Sequence, residues 1–117
     1  MTATIFERVT TALNTLSPKV PFALGIYVPA TGSDLPDQFI VFTLVSSVSS
    51  QSADDAETER FERVQVTIYN RSGLINLPSV DVVMRAAGFR LSTERQMLFE
   101  ETTKHFGIEK EFTILRS

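Results

Sequence analysis

The feature that most constrains this chain is the run RFERVQVTIY at residues 60–69. Its side chains alternate, with Val64, Val66 and Ile68 on one face and Arg63, Gln65, Thr67 and Tyr69 on the other. A period of two is the signature of a β-strand with one buried and one wetter face. Such a strand needs partners, because an isolated hairpin is marginal in water. A second alternating run, HFGIEKEFTIL at 105–115, sets Phe106, Ile108, Phe112 and Ile114 against His105, Glu109, Glu111 and Thr113. A third, QFIVFTLVS at 38–46, is almost continuously apolar and predicts a central strand covered on both faces. Shorter strands are expected at 22–28, opened by Pro21, and at 89–99.

Two segments carry helical periodicity instead. Ile5, Val9, Ala12, Leu13 and Leu16 form one apolar stripe, and Thr4 with Glu7 fits a capping box. Ser17-Pro18 ends that helix, since the residue before proline is driven out of the helical region. Pro78 suits the first turn of the second helix. Val80, Val83, Met84 and Ala87 form its apolar face, and Gly88 stands where a left-handed cap belongs. Glu101-Thr102-Thr103-Lys104 reads as the turn of the final hairpin. The expected fold is α+β: two helices packed on an antiparallel-rich sheet of about five strands, in the order α-β-β-β-α-β-β. Residues 1–117 form a single domain of ordinary size.

Residues 47–59 (SVSSQSADDAETE) offer almost nothing to bury and are expected to form a long, mobile hairpin loop. Residues 51–63 hold five acids and two arginines and so sum to the chain's whole −3 net charge, the rest being balanced. No basic footprint for phosphate backbones appears, which argues against sequence-independent binding of nucleic acid. No apolar run approaches the length of a membrane span, and Glu7 and Arg8 interrupt the place of a signal peptide's apolar region. Export is therefore not expected, and the triplet Asn70-Arg71-Ser72 is read as a chance match to a glycosylation site.

The search for chemistry returns little. Cysteine is absent, so disulfides, thiolate metal sites and cysteine nucleophiles are excluded. His105 is the one histidine and is expected at a strand edge, facing solvent. The five glycines match neither a phosphate-binding loop nor a dinucleotide fingerprint. Asp54, Asp55, Glu57 and Glu59 lack the ligand order of a calcium loop. No catalytic residue, cofactor or metal site is expected.

Three stretches resemble one protein family. Leu35-Pro36-Asp37-Gln38-Phe39-Ile40-Val41-Phe42 is similar to the "LP-x-x-(aromatic)-I-V-(aromatic)" start of the second strand in tail-terminator (tail-completion, head–tail joining) proteins of long-tailed bacteriophages and prophages. Arg63-Val64-Gln65-Val66-Thr67-Ile68-Tyr69-Asn70 resembles their "RVQV-x-(apolar)-Y" strand, and the hairpin from Leu98 to Ile114 resembles their closing turn and strand. The resemblance covers nearly the whole chain through the order and spacing of these patterns. It implies a non-enzymatic structural subunit that forms a ring, commonly a hexamer, caps the finished tail tube and presents a surface to the head connector. A head-closure or neck adaptor has a similar fold. A small cytoplasmic ligand- or partner-binding domain is the rival of a different class. Under the tail reading the partners are further copies of the chain, the major tail-tube protein and a connector or neck protein. The location is the virion, with DNA passing through the ring but no sequence-specific reading of it. Contacts to other subunits or the tube are expected from the acidic loop and the strand after it: Asp54, Asp55, Glu57, Glu59, Arg60, Arg63 and Gln65.

Overall fold

The computed structural model describes residues 4–17, 19–29, 34–49, 60–75 and 77–116. The elements follow the expected order: α1 (Ile5–Asn14), β1 (Phe22–Leu24), β2 (Gln38–Ser49), β3 (Arg60–Asn70), α2 (Val80–Ala86), β4 (Arg90–Gln96) and β5 (Phe106–Arg116). The five strands form one mixed sheet in the spatial order β1-β2-β3-β5-β4. Every pairing is antiparallel except β1 with β2, which is parallel.

The capping box forms as the sequence predicts. The Thr4 hydroxyl accepts from the Glu7 amide at 3.1 Å, and the Glu7 carboxylate accepts from the Thr4 amide at 3.0 Å. These bonds hold Glu7 below its ordinary pKa, the backbone bond to Thr4 being the larger cause. Ile5, Val9, Ala12 and Leu13 are buried on the sheet side of α1. Gly88 follows α2 at φ +96°, where side chains other than glycine are strained. Lys110 on β5 ties α2 to the sheet: its Nζ lies 2.6 Å from Asp81 and 3.2 Å from Glu94 on β4.

Both helices lie on one face of the sheet. The core joins Val9 and Leu13 of α1 and Val80 and Met84 of α2 to the helix-side residues of three strands. These are Ile40 and Phe42 of β2, Val64, Val66 and Ile68 of β3, and Phe112 and Ile114 of β5. Burying each large side chain contributes about 1.5–3 kcal/mol.

Several expectations change in detail. The strand expected at 22–28 stops at Leu24, because Gly25 adopts φ +80° and turns the chain away. The first part of the loop expected at 47–59 is strand instead, since Ser47 and Ser49 still pair with Glu62 and Arg60. The strand expected at 89–99 runs from Arg90 to Gln96, and all seven of its residues are exposed. The run at 38–46 is not covered by helices on both sides. Phe39 and Val41 turn toward the face opposite the helices, and that face has its own occupants.

Two β-bulges interrupt the sheet, one between Leu44 and Ser46 on β2 and one between Leu91 and Thr93 on β4. Both fall on one cross-strand row, Leu44–Val64–Phe112–Leu91. Bulges bend a strand and sharpen its twist, and here two of them share one row.

Candidate functional site: the open sheet face

The face opposite the helices is built from the second set of alternating residues. Phe39, Val41 and Thr43 of β2 lie beside Tyr69, Thr67 and Gln65 of β3, which lie beside Gly107, Glu109 and Glu111 of β5. This face divides into an aromatic end and a polar remainder.

At the aromatic end, Phe39 stacks on Tyr69 with ring centroids 4.9 Å apart and an interplanar angle of 20°. Tyr27, from the segment after β1, packs against the same Phe39 at 5.1 Å. His105 meets the Phe39 ring edge to face at 5.0 Å. This corrects the solvent-facing histidine expected from the sequence: His105 is 1% exposed. Alternation correctly sets His105 opposite Phe106, but the face it occupies is roofed by aromatic rings at that end. Its Nε2 lies 2.8 Å from the Pro36 carbonyl. A carbonyl only accepts, so Nε2 carries a proton in this contact. Nδ1 is buried and has no hydrogen-bond partner.

Arg71, the first residue after β3, continues the attachment. Its Nε donates to the Thr103 carbonyl at 2.8 Å and its Nη1 to the Leu35 carbonyl at 3.2 Å. The same guanidinium pairs with Asp34 at 3.1 Å and Asp37 at 3.0 Å. Every residue from Asp34 to Asp37 is thus bound by Arg71 or His105, and the segment is joined to the turn at 101–104. The hydrogen bond to Asp37 raises the Arg71 pKa, with Asp34 adding to it. The Leu35 amide and then the charge of Arg71 lower that of Asp34. The Leu-Pro-Asp stretch singled out in the sequence serves here as a strap over the aromatic end.

Beside this strap lies an open cleft of about 350 Å³, lined among others by Tyr27, Phe39, Val41, Tyr69, Met97 and Leu98. Gly107 lies beneath Met97 and Tyr69: a Cβ built there would sit 3.4 Å from Met97 Sδ and 3.5 Å from Tyr69 Cδ1. Burial, and then the charges of Glu109 and Glu100, raise the Tyr69 pKa. Ile26 and Leu98 at the rim are 72% and 96% exposed. Sequence reasoning missed this cleft. Its three aromatic residues, Tyr27, Phe39 and Tyr69, come from three separate segments, and Phe39 is hidden in a run with no visible period.

The polar remainder holds two of the residues predicted to make contacts. Arg63 is exposed, in a row with Ser46 and Thr113. Gln65 is half-buried, in a row with Thr43 and Glu111. Arg60 opens β3 opposite Ser49 and Arg116. Asp54, Asp55, Glu57 and Glu59 lie outside the described residues, as does most of the predicted loop. Nearby, Arg95 of β4 holds both carboxylate oxygens of Glu109 at 3.1 Å. Among the described residues, no group of three or more acidic or histidine side chains could hold a metal ion, and no helix is long and apolar enough to cross a membrane.

Neither a protein-family model nor a curated protein sequence matches this chain.

Proposed function

We propose that this chain is a structural subunit of a phage or prophage tail, forming a ring that caps the tail tube, ends its polymerisation and offers a surface to the head connector. The observation that supports this most is a β2–β3 ladder that runs on past exposed apolar side chains. Among the described side chains, the last buried residue of β2 is Phe42, and after it Leu44 and Val45 are 47% and 46% exposed. Pairing with β3 nevertheless continues to Ser49↔Arg60. The molecule is correspondingly elongated, 52 × 29 × 25 Å. A hydrogen-bonded edge that carries exposed apolar side chains suits assembly against other subunits. The sequence patterns shared with tail-terminator proteins supply the specific role. Mass spectrometry of purified particles, with labelled antibody imaged by electron microscopy, tests it. The protein should be a virion component at the head-proximal end of the tail; its absence from particles would refute the reading. A label between head and tail, with heads that lose DNA when the gene is deleted, would favour the neck-adaptor alternative.

The cleft beside Tyr69 favours a second reading of a different class, a small domain that binds a ligand or a partner's side chain. Its volume falls at the low end of small-molecule sites, which run roughly 300–1,000 Å³. A saturable ligand held by a chain that stays monomeric would support this reading over the ring.

A further inference from the structure

The two sides of the sheet end in different ways, and among the described residues both leave backbone open. On one side β4 is the last strand. The Met97 amide donates to the Gly107 carbonyl at 2.9 Å, so the antiparallel alternation also directs Arg95 at β5. Glu94 and Gln96 therefore turn their N–H and C=O groups outward. Exposed edges of this kind are usually blunted by proline, lysine or uncompensated charge. β4 has no proline or lysine, and its central charges are drawn onto β5, Arg95 by Glu109 and Glu94 by Lys110. On the other side, β1 covers β2 only from Ile40 to Phe42. The stretch Leu44–Ser49 beyond it has no strand on its outer side among the described residues.

We propose that the outer edge of β4 pairs with the Leu44–Ser49 edge of β2 on a second copy of this chain, joining copies head to tail in one continuous sheet. This rests on the ring reading above and names its interface. Three observations select a second copy as the occupant. The run LVSSVS at 44–49 carries no charge, so nothing in it repels Arg90, Glu94 or Arg95. Leu91 on one edge and Leu44 and Val45 on the other are exposed apolar side chains that the pairing would cover. β2 is antiparallel to β3, β3 to β5 and β5 to β4, so β4 runs opposite to β2. Copies repeated in the same sense therefore bring the two edges together antiparallel, the more stable pairing. Because the edges differ, each added copy leaves one of each kind free until the ring closes.

The absence of cysteine makes the test direct. Ser49→Cys and Ser92→Cys are introduced together, and the purified protein, alone and with the tail-tube protein, is treated with a short bismaleimide. The expected result is a ladder of covalent oligomers, with only dimers from a mixture of the two single variants and none from either alone. Gln96→Pro removes an outward N–H without touching the β4–β5 ladder. It should weaken association about tenfold, the equivalent of one hydrogen bond, and leave the monomer's melting temperature unchanged. Crosslinking of Ser92→Cys alone would overturn the proposal in favour of β4 pairing with itself. Rings sized by light scattering whose double variant does not crosslink would overturn the edge pairing and leave the ring reading standing. A chain that stays monomeric and uncrosslinked, with and without tube protein, would overturn both.

Discussion

His105 donates from Nε2 to the carbonyl of Pro36 across 2.8 Å, joining residues 69 positions apart in sequence. The contact holds the strap at 34–37 against the final hairpin, and the ring also supports Phe39 and Tyr69. His105→Phe keeps an aromatic ring and removes the buried unpaired nitrogen while losing the bond to Pro36. It should cost about 1 kcal/mol or less. His105→Ala also leaves a cavity and should cost about 2–5 kcal/mol. Urea midpoints of the two variants separate the bond from the packing.

Arg71 makes a forked set of bonds that lysine cannot reproduce. Arg71→Lys should keep the chain folded but release the strap. Hydrogen exchange would then speed up at Leu35 and Gln38, with the core amides of Ile40 and Val66 unchanged. Equal protection in variant and parent would show that the guanidinium contributes nothing to the strap.

Gly88 tests the backbone alone. A Cβ there would sit 3.5 Å from Ile114 Cδ1, an ordinary contact, so the cost of Gly88→Ala comes from its φ of +96°. That cost should be about 1–2 kcal/mol by thermal or urea unfolding.

Glu7 and Asp34 both have pKa values lowered by folding. Each binds its proton more weakly folded than unfolded, so its stabilising contribution is complete above the ordinary carboxyl range. That contribution is lost as the pH falls through the lowered value. Stability measured from neutral pH into acid should decline through this window. Thr4→Ala and Asp34→Asn should each flatten the decline, and Thr4→Ala should also cost about 1 kcal/mol at neutral pH.

The order of elements was legible because local rules agreed with the fold. Val64, Val66 and Ile68 alternate and are all buried, and Thr4, Glu7 and Gly88 cap their helices as their chemistry predicts. The open face was much less legible. Phe39 sits in a run where nearly every residue is apolar, so period two cannot say that it leaves the helix side. Without Phe39 and Tyr69 as a roof, His105 looks like a surface residue. The sheet order was also hidden, since nothing local in Arg90–Gln96 says that β5 will insert between β3 and β4. Of the residues expected to make contacts, Arg63 and Gln65 are on the open face, and the acidic group from Asp54 to Glu59 lies outside the described residues.

The tail-capping role is tested most directly by tail length. Deleting the gene from the genome that carries it and measuring released tails by electron microscopy should give tails that run past their normal length and fail to join heads. Tails of normal length, joined to full heads, would contradict the account.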